Sequence, residues 1–86
     1  DRYILDLPKS AMKEIVVPPN SFVTNKRIVD IHFPKSAFII MIKRKGNFVR
    51  AGGLTIIEAN DTLVVLLDNE DSLSQVNNVV LKNKIE

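Results

Sequence analysis

The chain has 86 residues, of which 45% are hydrophobic and 26% are charged, and these values are typical of one small globular domain. It contains no cysteine and a single histidine, His32, which excludes disulfides and thiolate metal sites and leaves that histidine unable to form a metal site alone. Twelve basic and ten acidic residues give a net charge of +2, far from the dense basic stripe of most nucleic-acid-binding domains.

The first third of the chain predicts a strand and a short helix. Residues 1–12 are predicted to be a linker or a leading strand, and the β-branched residues of MKEIVVP predict a strand that ends at Pro18. Thr24 or Asn25 can cap a helix, and Ile28 and Ile31 lie three apart on one helical face. We therefore expect a two-turn helix over about residues 25–31.

The middle of the chain predicts a β-hairpin. The run AFIIMIKR over 37–44 is the strongest strand, Lys45-Gly46 is a tight turn, and residues 47–50 return as a shorter strand. Ala51-Gly52-Gly53 then interrupts regular structure and lacks the spacing of a dinucleotide-binding or P-loop motif.

The last third predicts a strand followed by a helix. TLVVLL over 62–67 is strongly apolar, and Asp68 or Asn69 can cap a helix whose first turn carries acidic residues. Apolar residues at helical spacing, from Leu73 to Val80, give this helix a buried face. Residues 82–86 are predicted to be a frayed tail, which leaves 13–81 as the domain.

This order of elements predicts an α+β fold. We expect a two-layer sandwich in which a small, mostly antiparallel or mixed sheet carries a hairpin, with two helices on one face. The chain begins at Asp1 without Met, so we also expect it to be a piece of a longer protein.

Both faces of the two strongest strands are apolar. Strict alternation places Phe38, Ile40 and Ile42 on one face of the first strand and Ala37, Ile39 and Met41 on the other. Since two short helices cover only one face, the second should meet a partner subunit, another domain or a ligand. The alternative is that loops bury the strand ends.

The basic cluster Lys43-Arg44-Lys45 is not one patch, because alternation sends Lys43 and Arg44 to opposite faces. Arg44 can pair with a carboxylate or a phosphate at the strand end, or remain solvated there. No catalytic arrangement is found in the sequence, and His32 is expected on the surface, so we predict no enzyme activity.

The series from Val17 to Leu66 resembles the C-terminal regulatory domain of potassium-conductance regulators, called TrkA-C or RCK-C. The resemblance covers about residues 13–80, and the order and spacing of its loose motifs carry it. The matching positions are Ser21, Lys26, Arg27, Ile28, Asp30, Ile31, Pro34, Ile42, Arg44, Gly46, Ile57, Glu58, Ala59, Asp61 and Leu63. Asn25 and Asn60 stand where glycine is usual, and asparagine tolerates the left-handed conformation. Ala51 replaces a usual proline, so a ligand contact made by that proline is not carried over to this chain.

The leading segment YILDLPKSAMKEIVVPPNS is most similar to the version of this domain found in bacterial cell-volume-regulation-type potassium or sodium/proton antiporters. The resemblance implies a homodimer on the cytoplasmic face of the inner membrane, attached to the transmembrane transport domain of the same parent chain. From the residues themselves, the charge balance predicts no nucleic-acid partner, the lone histidine predicts no metal site, and the short apolar runs predict no membrane insertion by this fragment. The Rossmann-type domain that often precedes this module is not in the sequence, so we predict no NAD site, and we predict no cofactor.

In some members of the family, a small nucleotide, cyclic di-AMP, binds at the dimer interface. Carried over to this chain, the resemblance implies a ligand site of Phe38, Ile39, Ile40, Met41 and Arg44. The expected function is a ligand-sensing regulatory domain of a membrane cation/proton antiporter or potassium transport system. The alternatives are a purely structural dimerisation domain without a ligand and, disfavoured by the charge balance, a small nucleic-acid-binding domain.

Overall fold

The computed structural model describes residues 12–83. Residues 1–11 of the predicted linker and 84–86 of the predicted tail lie outside this range. The strands are β1 (Met12–Val16), β2 (Ala37–Arg44), β3 (Asn47–Arg50) and β4 (Thr62–Leu67), and the α-helix is α1 (Glu70–Val80). Within the described range, no helix is both long and apolar enough to cross a membrane.

The four strands form one sheet in the order β1-β4-β2-β3, and every neighbouring pair is antiparallel. The longest apolar strands, β2 and β4, occupy the centre, where both of their edges are hydrogen-bonded. Helix α1 packs on one face of this sheet. The predicted α+β class with a hairpin is confirmed, and the sheet is purely antiparallel.

The β2–β3 hairpin turns through two residues in the left-handed region, Lys45 at φ 51° and Gly46 at φ 81°. Two successive positive φ values are typical of a type I′ turn, whose twist matches that of the strands it joins. Asn25 and Asn60 also have φ 68°. The sequence interpretation that these asparagines stand in for glycine is therefore correct.

Helix α1 begins at the predicted cap. The side chain of Asn69 accepts a hydrogen bond of 2.9 Å from the backbone N–H of Ser72, and Glu70 and Asp71 occupy the first turn. Val76 and Val80 are fully buried against the sheet. The helix therefore supplies one wall of the core.

The expected helix over 25–31 is wrong. Only Ile28–Asp30 is helical, as a single 3-10 turn. Asn25 is left-handed and Arg27 is extended at φ −74° and ψ 146°, so the helical conformation cannot propagate through them. The sheet is thus covered by one α-helix and an ordered loop rather than by two α-helices.

The predicted alternation along β2 is also wrong beyond Ile39. Ile39 pairs with Val65, but Met41 pairs with Val64, so Ile40 is the extra residue of a β-bulge. The bulge turns the remainder of the strand over. Ala37, Ile39 and Ile42 therefore share the helix-facing side of β2, whereas Phe38 and Met41 share the other.

The core lies between α1 and the sheet. On β4, the alternate residues Leu63, Val65 and Leu67 are buried. Other buried apolar residues come from β1, β2, the loops and α1: Ile15, Val17, Val23, Ile31, Ile42, Ile57, Val76 and Val80. The opposite side of the sheet has no equivalent cover among residues 12–83, since Val16, Phe38 and Phe48 on that side are exposed.

Candidate functional site

We call the side of the sheet that faces away from α1 the outer face. Directly paired residues of antiparallel strands project to the same side, so the register defines its members. They are Met12, Glu14, Val16, Phe38, Met41, Lys43, Phe48, Arg50, Thr62, Val64 and Leu66.

Most residues of the outer face are apolar, and its charged residues are Glu14, Lys43 and Arg50. Val16, Phe38 and Phe48 are 59%, 62% and 66% exposed. Lys43 Nζ lies 2.9 Å from Glu14 Oε2 and 5.9 Å from the centroid of the Phe48 ring. Exposed aromatic side chains on the open face of a sheet are typical of an interaction surface. The second apolar face expected from the sequence therefore exists, although the bulge changes its membership.

A cleft of about 270 Å³ opens beside the first half of β2. Phe38 and Ile39 form part of its wall, and the Gly52-Gly53 loop and the 3-10 turn at Ile28 form another part. Val76 of α1 also contributes to the lining. Nearly every lining side chain is apolar, and the size suits part of a small ligand. We call this site the β2 cleft.

Arg44 stands at the end of β2 in a tight polar network. Its Nε donates to Asp61 Oδ1 at 2.9 Å, and its Nη2 donates to Asp61 Oδ2 at 2.8 Å. Nη2 also donates to the carbonyl of Ile56 at 2.9 Å, and Nη1 lies 3.1 Å from Glu58 Oε2. The bidentate geometry with Asp61 fixes the guanidinium plane.

Asp61 is the centre of this network, since its carboxylate accepts hydrogen bonds from Arg44 and from the backbone N–H of Glu58. Its side chain is only 1% exposed. Burial alone raises the pKa of its carboxyl, but the hydrogen bonds from Arg44 and from the backbone N–H of Glu58 outweigh it, so the pKa lies below its ordinary value. The same hydrogen bond to Asp61 raises the pKa of Arg44. The network joins the hairpin to the loop that precedes β4.

The structure separates the five sequence-predicted site residues. Phe38 and Ile39 lie together at the β2 cleft, and Phe38 also belongs to the outer face. Met41 lies on the outer face, and Ile40 is the bulge residue. Arg44 lies at the far end of the strand, where its partners are carboxylates and a carbonyl of the chain itself. Its pairing thus follows the carboxylate option left open in the sequence.

Sequence reasoning missed Asp61 as the partner of Arg44. A signal was available, since antiparallel pairing of β2 with β4 places Lys43 opposite Thr62 and therefore brings the next residue, Arg44, toward Asp61. It also missed the glycine loop as a wall of the β2 cleft. His32 is exposed, as expected. Within residues 12–83, no three His, Asp or Glu side chains are placed to hold a metal ion.

Comparison with known sequences identifies the family. The TrkA-C domain family matches residues 12–78, which is most of the chain. This chain belongs to the TrkA-C domain family. The resemblance noted in the sequence is thereby confirmed at the level of the family. No curated protein matches the chain significantly.

Solved structures with the same fold include two isolated domains. One is an RCK domain with cda, 17% identical to this chain with a TM-score of 0.71, and the match covers 81% of this chain and 97% of that one. Another is the RCK_C domain dimer of S. agalactiae BusR in complex with c-di-AMP, at 24% identity and a TM-score of 0.69, covering 83% and 96%.

A third similar structure is a longer protein. S. agalactiae BusR in complex with its busA-promotor DNA is 23% identical to this TrkA-C domain with a TM-score of 0.71. The match covers 94% of this chain but 45% of the BusR chain. At these identities the structural likeness establishes the fold, and this chain spans less than half of that BusR chain.

Proposed function

We propose that this TrkA-C domain is a non-enzymatic regulatory module that acts as a homodimer and senses a small ligand, with cyclic di-AMP as the first candidate. The observation that carries the proposal is the position of Phe38. Its exposed ring belongs both to the apolar outer face and to the β2 cleft. A partner on that face would therefore sit beside the ligand.

The dimer is supported by the chemistry of the outer face. Val16, Phe38 and Phe48 expose more than half of their surfaces there. A second copy that covers them would remove apolar area from water, which is the main favourable term in association. The BusR RCK_C domain with the same fold is a dimer in its complex with c-di-AMP, and this likeness supports the same state here.

The ligand is supported by the β2 cleft. Its apolar wall at Phe38 and Ile39 suits a flat base, and the exposed backbone of Gly52 and Gly53 allows close approach. Ile40 and Met41 follow these two residues along β2 and remain part of the proposed ligand site, although they do not line the cleft. An RCK domain with cda and the BusR domain with c-di-AMP share the fold, which makes cyclic di-AMP the probe of choice.

Only Nη1 of Arg44 could contact a ligand without breaking the hydrogen bonds of this side chain to Asp61 and Ile56. Nε and Nη2 are occupied by Asp61 and Ile56, so a phosphate would have to meet Nη1 and displace Glu58, whose side chain is 52% exposed. Because Arg44 faces two carboxylates, its charge is already neutralised. This observation favours the alternative, a structural dimerisation domain without a ligand, and makes Phe38 the better residue to test.

For the parent protein, we propose a membrane cation/proton antiporter or potassium transport system, with this domain on the cytoplasmic face of the bacterial inner membrane. The support is the similarity of the leading segment to antiporter-linked versions of the domain. The second candidate is a transcription regulator, favoured by the fold shared with BusR bound to promoter DNA. The reading frame around this domain distinguishes them: multiple apolar spans support the transporter, and their absence from the parent chain contradicts it.

Calorimetric titration of the 86-residue chain with cyclic di-AMP tests the ligand proposal. We expect saturable heat, and we expect Phe38→Ala to weaken binding by about tenfold, since stacking of a base on an aromatic ring contributes roughly 1–3 kcal/mol. Leu81→Ala is the matched control because Leu81 is 61% exposed and does not line the β2 cleft. No heat with a folded wild-type chain would favour the structural alternative, whereas equal affinity of Phe38→Ala would show that the ligand binds away from Phe38.

A further inference from the structure

The strand register arranges the outer face in rows that run across the sheet. In the strand order β1-β4-β2-β3, the central row consists of Glu14, Val64, Met41 and Arg50. Its two ends carry opposite charges, and the two residues between them are apolar. Neighbouring strands lie about 4.8 Å apart, so the backbones of Glu14 and Arg50 are separated by about 14 Å. The two charges therefore stand at opposite edges of the sheet.

Both charged groups keep unused bonding capacity. Within residues 12–83, the guanidinium of Arg50 forms no ion pair. Glu14 accepts from Lys43 Nζ through Oε2 at 2.9 Å, and its Oε1 has no hydrogen-bond partner in the same range. Glu14 and Arg50 are both exposed. A partner that brings a cation to Glu14 and a carboxylate to Arg50 would satisfy both groups.

A second copy of the chain meets this requirement in one orientation. Two outer faces can pack about a twofold axis that runs along the strands, midway between β4 and β2. This rotation sets β1 against the partner's β3 and β4 against the partner's β2. Arg50 then faces the partner's Glu14, and symmetry repeats the pair at the other edge. Aligned sheets pack about 10 Å apart, a gap that an arginine and a glutamate bridge together.

The same orientation brings apolar residues together in the other rows of the outer face. Phe48 on β3 faces the partner's Val16 on β1, and these side chains are 66% and 59% exposed in the single chain. Phe38 on β2 faces the partner's Leu66 on β4. The most exposed side chains of the outer face thus cover one another, and the partner's Leu66 lies on the Phe38 ring that borders the β2 cleft.

A twofold axis that runs across the strands, along the central row, is unfavourable. It sets Glu14 against the partner's Glu14 and Arg50 against the partner's Arg50, and like charges in direct opposition are destabilising. It also leaves Phe48 without an opposing strand, because β3 ends at Arg50. The axis along the strands instead sets Lys43 opposite the partner's Thr62, whose hydroxyl can accept a hydrogen bond from the ammonium group.

We propose that two copies of this chain pack outer face to outer face about a twofold axis along the strands, with Arg50 of each copy paired to Glu14 of the other. The inference rests on the homodimer of the proposed function and adds its orientation and its charged contacts. The two ion pairs lie at the rim of an apolar interface. They select the orientation, because apolar burial alone is non-directional.

Sedimentation velocity of charge-reversed variants tests the orientation. Arg50→Glu places two carboxylates together at each edge of the dimer, and Glu14→Arg places two guanidinium groups together. Each variant should raise the dimer dissociation constant about tenfold, because two exposed ion pairs change from attraction to repulsion. The combined variant Glu14→Arg/Arg50→Glu restores opposite charges and should return the constant to within about threefold of the wild type. This allowance covers the lost pair of Glu14 with Lys43, which is exposed.

Lys13→Glu is the matched control for Arg50→Glu. It changes the charge of the chain by the same amount, but Lys13 is an exposed residue on the other side of β1, so the dissociation constant should stay unchanged. Circular dichroism checks that each variant is folded. A wild-type chain that stays monomeric would overturn the homodimer of the proposed function and this orientation with it. A wild-type dimer with no recovery in the combined variant, or with equal weakening by Lys13→Glu, would overturn the orientation alone.

Discussion

Replacing Asp61 by asparagine should destabilise the fold strongly. Asp61 is 1% exposed, and its carboxylate accepts from Arg44 Nε, Arg44 Nη2 and the backbone N–H of Glu58. An asparagine side chain has one oxygen and one NH₂ group, so at least one of these donors must face another donor. The substitution also leaves the positive charge of Arg44 without its buried partner.

The magnitude follows from these two losses. Removing one partner of a fully buried ion pair costs about 3–5 kcal/mol, and losing one charge-assisted hydrogen bond costs about 1.5–3 kcal/mol. Arg44 is 22% exposed and keeps Glu58 and the carbonyl of Ile56 as partners, so its charge is not left fully unpaired. The cost should therefore lie below that of a fully buried pair and close to that of one charge-assisted hydrogen bond. We expect Asp61→Asn to lower the free energy of unfolding by about 2–3 kcal/mol and the Tm by about 10–20 °C.

Urea unfolding followed by circular dichroism measures this change, and a double-mutant cycle with Arg44→Met assigns it to the pair. The coupling free energy should be at least about 1 kcal/mol in favour of the wild-type pair. A cost below about 0.5 kcal/mol for Asp61→Asn, or additive effects of the two substitutions, would refute the view that this ion pair joins the hairpin to the loop before β4.

The same pair predicts a pH dependence with a definite sign. The pKa of Asp61 in the folded chain lies below its ordinary value of 3.8, so the unfolded chain takes up the proton first as the pH falls. The contribution of Asp61 to stability is therefore fully present well above pH 3.8 and is lost progressively as the pH falls below that value and through the folded pKa. Asp61→Asn should lack this component, which urea unfolding between neutral and acidic pH would reveal as a flatter profile. An acid profile identical to that of the wild type would contradict it.

Three further predictions concern the helix cap, a left-handed residue and the outer face. Asn69→Ala removes the cap of α1 and should lower the free energy of unfolding in urea by about 1 kcal/mol. Asn78→Ala, at an exposed position inside the helix, should raise this free energy slightly, and equal effects of the two variants would contradict the role of the cap. Asn60→Ala should cost about 1 kcal/mol and lower the Tm, whereas Asn60→Gly should be neutral, because the residue has φ 68°. Phe38→Asp should raise the dimer dissociation constant measured by sedimentation about tenfold or more. Leu54→Asp, at a 74% exposed apolar residue outside the sheet, should leave this constant unchanged, and an equal increase for both variants would contradict an interface at Phe38.

The elements that could be predicted from the sequence are those that local chemistry determines. Lys45-Gly46 permits two positive φ values, which fixes the hairpin. Asn69 before two acidic residues fixes the start of α1, and the alternation along β4 places Leu63, Val65 and Leu67 on one face.

The features that could not be predicted depend on contacts between distant segments. The bulge at Ile40 has no sequence signal in an all-apolar strand, because apolar residues on both faces hide a change of side. The expected helix over 25–31 failed because Asn25 adopts the left-handed conformation, although the residues after it have helical spacing. The β2 cleft requires Val76, the glycine loop and Phe38 to meet, and only the tertiary fold brings them together.

Sedimentation velocity of the 86-residue chain, with and without cyclic di-AMP, tests the central claim most directly. If the ligand binds between two copies beside Phe38, binding and association must strengthen each other by the same factor. We predict a monomer–dimer equilibrium that shifts toward the dimer as cyclic di-AMP is added. A chain that remains monomeric at high concentration with saturating ligand, or a dimer whose dissociation constant is independent of ligand, would contradict the coupled dimer that we propose.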